Sequence, residues 1–145
     1  MSRTADIDFT FQGPVKPSVF VQALSRSGWS SVEPLGVSCA VEDEDGDLEW
    51  ERAAPESVEQ ILVDLDSRQE SGQLVGISLY NQEADTGGLL LFFRDRTQVS
   101  FTPRINRRSL AVAEEMTDLS WYLGSMVPEL YGIGLMGYEA QDIAD

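Results

Sequence analysis

Residues 75–101 read VGISLYNQEADTGGLLLFFRDRTQVSF and contain three strand patterns in succession. Apolar side chains occupy every second position in 75–79 and again in 99–101, which predicts strands with one buried face. The run at 89–93 is apolar throughout, which is typical of a central strand covered on both faces. Pro103 cannot donate a hydrogen bond to a neighbouring strand, so it predicts that the last strand is an edge. The stretch therefore predicts a three-stranded meander.

The chain before this stretch predicts three more strands and two helices. A strand with alternating apolar residues covers 6–12, and a helix that begins at a proline and ends at a glycine covers 17–28. Two alternating strands within 37–50 flank an acidic turn that contains Asp-Gly, a strong β-hairpin signal. A second helix follows over 55–72, again between a proline and a glycine.

The clearest helix prediction lies after the meander. Thr117 is the predicted N-cap, and apolar residues then recur at helical spacing. Pro128 predicts a kink or a stop, because its ring clashes with the preceding turn. Residues 104–116 predict an irregular, arginine-rich crossing, and a short last strand is expected near Tyr138. The apolar stripe consists of Leu119, Tyr122, Leu123, Met126, Val127 and Leu130.

The predicted order of elements is β-α-β-β-α-β-β-β-α. We expect residues 1–145 to form a single α+β domain in which helices pack on a mostly antiparallel sheet. The first six elements match the split β-α-β pattern. The sequence therefore predicts a ferredoxin-like core with an added hairpin and a C-terminal helix.

The sequence contains no histidine, and Cys39 is its only cysteine. Histidine is the commonest general base and transition-metal ligand, so Ser-His and Cys-His nucleophiles and the usual zinc sites are excluded. We therefore predict no catalytic residues, no metal site and no cofactor. An intramolecular disulfide is impossible, which favours a reducing, cytoplasmic location. No apolar run is long enough to predict a membrane span.

The formal net charge is −15, and much of it is concentrated in one segment. Residues 42–70 hold twelve acidic residues against two arginines. A field this negative repels nucleic acid and anionic membranes, and it attracts basic proteins. Solubility is the alternative explanation, although acids spread evenly along the chain would serve that purpose with less local repulsion.

The predicted partner-binding surface is the acidic turn together with the strand that follows it. The turn does not match a calcium-binding EF-hand loop, because its glycine falls at the wrong position. An exposed tryptophan ringed by acids would form the energetic centre of an interface with a basic protein. A tryptophan that faces the core would not. The predicted residues are Glu42, Asp43, Glu44, Asp45, Asp47, Glu49, Trp50 and Glu51.

A second candidate site consists of arginines that follow the meander. Guanidinium groups bind phosphate and carboxylate groups in bidentate fashion, which suits an anion or an acidic ligand. The alternative is that these arginines form ion pairs with the protein's own abundant carboxylates. The candidate residues are Arg104, Arg107 and Arg108.

These observations favour a non-catalytic acidic domain that binds a basic protein, as inhibitors and immunity proteins of cationic nucleases do. A homo-oligomeric structural or scaffold protein is the first alternative. A carboxylate-based enzyme or small-ligand-binding domain is the second. An acidic patch with an aromatic centre would favour the protein-binding hypothesis. A self-complementary apolar face would favour a scaffold protein, and a pocket with perturbed carboxylates would favour an enzyme.

Overall fold

The fold is an eight-stranded antiparallel sheet with three helices, in a computed structural model that describes residues 3–145. The helices are α1 (Pro17–Leu24), α2 (Val58–Glu70) and α3 (Leu119–Tyr131). The strands are β1 (Arg3–Phe11), β2 (Trp29–Ser30), β3 (Val37–Glu42), β4 (Leu48–Ala53), β5 (Val75–Asn81), β6 (Thr86–Phe92), β7 (Gln98–Ile105), β8 (Ser109–Leu110), β9 (Ala113–Thr117) and β10 (Leu135–Ala144). The sheet order is β10-β1-β7-β6-β5-β3-β4, with β2 also paired to β5, while β8 and β9 form a separate ladder.

The three helices pack on one face of the sheet and bury one apolar core. The register aligns Ile77, Leu90, Phe101 and Ile7 in a row across four neighbouring strands, and all four side chains are fully buried. Alternation along each strand sends these residues to the helix side. The predicted one-sided burial is confirmed for β1 and β7, whereas every residue of β5 is buried. The helices contribute Phe20, Leu65, Tyr122, Met126 and Leu130 to the same core.

The predicted α+β class and the two helices that follow prolines are confirmed, whereas the predicted N-cap of α3 is wrong. Thr117 is the last residue of β9, and Asp118 caps α3 by accepting from the N–H of Trp121. Pro17 is the first residue of α1, and a 3-10 turn at Pro55–Ser57 precedes α2. Gly28 ends the 3-10 turn Ser25–Ser27 that extends α1, and Gly72 lies two residues after α2; both have a φ angle of 86°. A glycine adopts this left-handed conformation without the strain that a side chain would cause, which explains why the helices end there.

A ferredoxin-like core is not confirmed. A split β-α-β unit contains strands that run parallel across a helical crossover, whereas the ladders of this sheet are antiparallel. The first strand, β1, lies between β7 and β10 instead of beside the β3–β4 hairpin. Alternating burial predicts which face of a strand is covered and does not specify its neighbours.

The prediction that Pro103 marks an edge strand is wrong, because β7 pairs with both β6 and β1. The proline nevertheless limits the sheet. The β1–β7 ladder runs from Thr10–Gln98 to Ile7–Phe101 and ends there. Pro103, two residues further along β7, has no N–H with which to continue it.

The C-terminal third is more regular than the sequence predicts. Helix α3 continues past Pro128, and the last strand runs over ten residues instead of a short stretch near Tyr138. Strand β10 pairs with β1 along its length, from Phe11–Leu135 to Arg3–Ala144. The predicted irregular crossing over 104–116 contains the end of β7 and most of the β8–β9 ladder.

Candidate binding surface at the acidic hairpin

The acidic turn forms the tip of the β3–β4 hairpin, as the sequence predicts. The N–H of Asp43 donates to the carbonyl oxygen of Asp47 at 2.8 Å. The Asp43 carboxylate in turn accepts from the N–H groups of Asp45 and Asp47, at 2.9 and 3.0 Å. Gly46 has a φ of 82°, which the Asp-Gly sequence accommodates. Asp43 therefore shapes the tip, and Glu44, Asp45 and Asp47 are exposed on it.

Glu42 is bound by groups of the protein itself. Its carboxylate accepts from the N–H of Leu74 at 2.7 Å and forms an ion pair with Arg94. Arg94 and the Leu74 N–H together hold the pKa of Glu42 below its ordinary value. The charge of Glu42 is therefore neutralised within the fold, and this residue contributes less to a partner surface than the sequence suggests.

Trp50 lies on the face of the sheet opposite the helices. It pairs with Ala40 on β3, which pairs in turn with Gly76 on β5. A Cβ atom at Gly76 would stand 2.7 Å from Cη2 of Trp50 and 3.1 Å from Cδ2 of Leu91, so the indole lies across the glycine. Trp50 remains 37% exposed. It offers an apolar surface on the side of the sheet that lies opposite the helices, which we call the outer face.

Glu49 and Glu51 point to the other side of β4, toward α2. They line a groove of about 270 Å³ with Asp64 and Arg68 of α2. Arg68 donates to Asp64 at 3.0 Å, whereas within residues 3–145 neither Glu49 nor Glu51 has a basic side chain within 4.0 Å. The apolar lining residues of this groove, the hairpin groove, are Cys39, Ala40, Val41, Ile61 and Leu65.

Cys39 is half-buried in the hairpin groove. Burial raises the pKa of its thiol, and the negative charges of Glu51 and Asp64 raise it further. A thiol with a raised pKa is a poor nucleophile at neutral pH, because the reactive species is the thiolate. Cys39 therefore acts in the groove as a small apolar side chain.

Arg104 and Arg107 line a different groove, of about 400 Å³, between β1 and β7. This groove opens where Pro103 ends the β1–β7 ladder. Arg107 donates to Oγ1 of Thr117 at 2.8 Å. Among the four ion pairs of the described chain none involves Arg104 or Arg107. Of the arginines between residues 94 and 108, Arg94 therefore pairs with a carboxylate of the protein, whereas Arg104 and Arg107 form no such pair within residues 3–145.

Arg108 is separated from the other two arginines of the candidate anion site. Its guanidinium carbon lies 4.5 Å from the centroid of the Trp121 ring, a cation–π contact with α3. The backbone N–H of Arg108 donates to the hydroxyl of Tyr122 at 2.9 Å. Arg108 does not line the groove of Arg104 and Arg107. Its side chain packs the β7–β8 connection against α3.

Helix α2 contributes to the acidic surface, which was not predicted from the sequence. Ile61, Asp64, Leu65 and Arg68 all line the hairpin groove. Their spacing of i, i+3, i+4 and i+7 places them on one face of a helix, and this signal was present in the sequence. What the sequence did not show is that this face lies against β3 and β4.

In the part of the chain that the structure describes, no three His, Cys, Asp or Glu side chains are arranged to hold a metal ion. None of the helices in residues 3–145 is long and apolar enough to cross a membrane. The chain matches no protein-family model, and no curated protein or solved structure is significantly similar to it.

Proposed function

We propose that this domain is a non-catalytic binding protein for a basic protein, of the inhibitor or immunity type. The observation that carries the proposal is the hairpin groove, where Glu49 and Glu51 stand beside apolar side chains with no basic partner in the described residues. A cationic side chain of a partner would supply the missing counter-charge, and its aliphatic stem would cover the apolar lining. The single cysteine suits a partner met in the cytoplasm.

The charge distribution supports a protein partner over a nucleic acid. The net charge of −15 repels polyanions at long range, whereas it accelerates the approach of a cationic protein. The exposed acids of the hairpin tip lie beside the groove on the same hairpin. Such a cluster steers a basic partner toward one end of the molecule, and the groove then provides the short-range contact.

The test reverses two charges in the groove. We expect the double variant Glu49→Lys, Glu51→Lys to fold, because both side chains are exposed. Wild-type protein immobilised as bait should capture a basic protein from extracts of the source cell, and the double variant should lose it. With the captured protein in hand, the association rate should fall by about tenfold or more at low salt.

The matched control is Glu114→Lys, Glu115→Lys, which changes the net charge equally at two exposed acids of β9. This variant should retain the same captured protein with a nearly unchanged association rate. If both variants lose the partner to the same degree, the attraction is a property of the total charge and the groove has no specific part. If all three baits capture the same proteins equally, the proposed function is wrong.

A further inference from the structure

Strand β4 forms one edge of the sheet, and its outward backbone groups can be identified from the hydrogen bonds of the hairpin. Residues 3–145 supply β4 with one neighbour, β3. The N–H of Asp43 donates to the carbonyl oxygen of Asp47, so Asp43 and Asp47 form a hydrogen-bonded pair. Hydrogen-bonded and non-hydrogen-bonded pairs alternate along an antiparallel ladder, so Val41–Glu49 is the next hydrogen-bonded pair. The residues between them turn their N–H and C=O groups away from β3. These are Leu48, Trp50 and Arg52.

The two sides of this edge have different chemistry. On the helix side stand Glu49 and Glu51, two residues apart and lining the hairpin groove. On the outer face stands Trp50, whose ring covers Gly76 and is 37% exposed. A strand added beside β4 would place alternate side chains next to these two surfaces, because successive residues of a strand point to opposite faces.

We propose that β4 accepts an extended segment of the basic partner as an additional antiparallel strand of the sheet. The segment carries lysine or arginine at every second position, next to Glu49 and Glu51, and apolar residues at the intervening positions, next to Trp50. The inference rests on the proposed function and specifies how the partner is recognised. Main-chain hydrogen bonds to the edge provide affinity, and the alternating side chains provide specificity.

Charge complementarity argues for a cationic segment over a second copy of this chain. Antiparallel pairing of β4 with itself through its outward groups would bring Glu49 and Glu51 of both copies together on the helix side. Like charges that face each other across neighbouring strands are destabilising. A basic segment would instead place cationic side chains opposite Glu49 and Glu51, and these contacts are attractive.

The other edge of the sheet offers no equivalent surface among the described residues. On β10, Glu139 pairs with Asp8 and lies on the outer face, whereas Asp142 pairs with Ala5 and lies on the opposite face. Asp142 is also occupied, since it accepts from the N–H of Thr117 and pairs with Arg3. Within residues 3–145, β4 therefore carries two acids of its own on one face, two residues apart, and β10 does not.

The test uses the full chain and a capped synthetic peptide of alternating lysine and valine. Hydrogen exchange measured by NMR should slow by about tenfold or more at the N–H groups of Leu48, Trp50 and Arg52 when the peptide is saturating. A matched peptide with the same lysines and valines in two separate blocks has the same charge and should leave these three exchange rates unchanged. Slowed exchange on β10 instead, or equal effects of both peptides, would overturn the proposal.

N-methylation of the peptide provides a second, independent readout. In antiparallel pairing the residues opposite Trp50 direct their N–H groups to β4, and these are the valines. Methylation of the valine nitrogens should therefore weaken binding by about a hundredfold, whereas methylation of the lysine nitrogens should leave it intact. Equal binding of the two methylated peptides would contradict strand addition.

These measurements separate the two proposals. If the Glu49→Lys, Glu51→Lys variant loses the captured basic protein but the alternating peptide leaves exchange at Leu48, Trp50 and Arg52 unchanged, the proposed function stands and strand addition is wrong. Capture that survives the charge reversal overturns the proposed function, and the cationic strand with it.

Discussion

Asp142 connects three segments that lie far apart in the sequence. Its carboxylate accepts from the backbone N–H of Thr117 and pairs with Arg3, and its side chain is only 3% exposed. Burial by itself raises the pKa of Asp142, but the Thr117 N–H and the Arg3 guanidinium outweigh it, so the pKa lies below the ordinary value. The ionised form is therefore the one that the folded state prefers.

We expect Asp142→Asn to destabilise the protein by about 1–3 kcal/mol at neutral pH, because the amide keeps the shape and loses the charge. The lowered pKa stabilises the folded state above the ordinary pKa of an aspartate, about 3.9, and this contribution disappears as the pH falls through the folded pKa. The stability difference between wild type and variant should thus be larger at pH 7 than at pH 3. Urea denaturation at both pH values measures it.

The control for this prediction is Asp145→Asn, since Asp145 is exposed and accepts from the Thr4 hydroxyl at 2.9 Å. This variant should change stability by less than about 0.5 kcal/mol at either pH. An equal cost of Asp142→Asn at pH 7 and pH 3 would show that the ionised carboxylate does not contribute as described.

Helix α3 packs through a narrower stripe than its sequence predicts. Tyr122, Met126 and Leu130 are fully buried, whereas Leu123 is only half-buried. The buried set recurs every four residues and lies along one line of the helix. The hydroxyl of Tyr122 also bonds Oγ1 of Thr86 at 2.6 Å, so the helix is fixed to the sheet by a polar contact as well as by apolar burial.

We expect Met126→Ala to cost about 2–5 kcal/mol of unfolding free energy, because it leaves a cavity in the core. Leu123→Ala removes a side chain of similar volume from a half-exposed position of the same helix, and it should cost less than half as much. Chemical denaturation of the two variants provides the comparison. A larger loss for Leu123→Ala would mean that the helix is rotated about its axis relative to this structure.

The positions of most elements could be predicted from the sequence, but their neighbours could not. Prolines and glycines identified the start and end of α1 and α2, and Asp-Gly identified the hairpin, because these residues act on the local backbone. The placement of β1 between β7 and β10 depends on contacts between distant residues, which alternation does not encode. The same limit applies to the candidate site. The acidic tip was predicted, whereas the groove between the hairpin and α2 was not.

The charge of the protein opposes its own folding. Residues 3–145 contain four ion pairs, of which Arg68–Asp64 joins two half-exposed side chains, against a net charge of −15. Surface pairs contribute little, so the repulsion among the remaining acids is the larger electrostatic effect. Bringing these acids from an extended chain into one domain shortens the distances between them.

Salt should therefore stabilise the protein at neutral pH. We expect the melting temperature to rise by about 4 °C between 10 mM and 300 mM sodium chloride, as about 1 kcal/mol of relieved repulsion would produce. At pH 4.1, the isoelectric point given by the sequence, the rise should vanish because the net charge is zero. Calorimetry at both pH values measures it. A melting temperature that falls with salt at pH 7 would show that the ion pairs dominate.

Strand β1 completes the sheet late in time although it comes early in the chain. Its two neighbours are β7 and β10. Ile7, for example, pairs with Phe101 on one side and with Ala140 on the other, and both residues are synthesised much later. During synthesis on the ribosome, both hydrogen-bonding edges of β1 stay unpaired until β7 and then β10 have been made. Short turns join consecutive strands within the β5–β6–β7 meander and within the β3–β4 hairpin. These two units can therefore form first. The first strand of the chain is therefore the last to be fully paired. If synthesis halts before β7, the unpaired edges of β1 are available for aggregation.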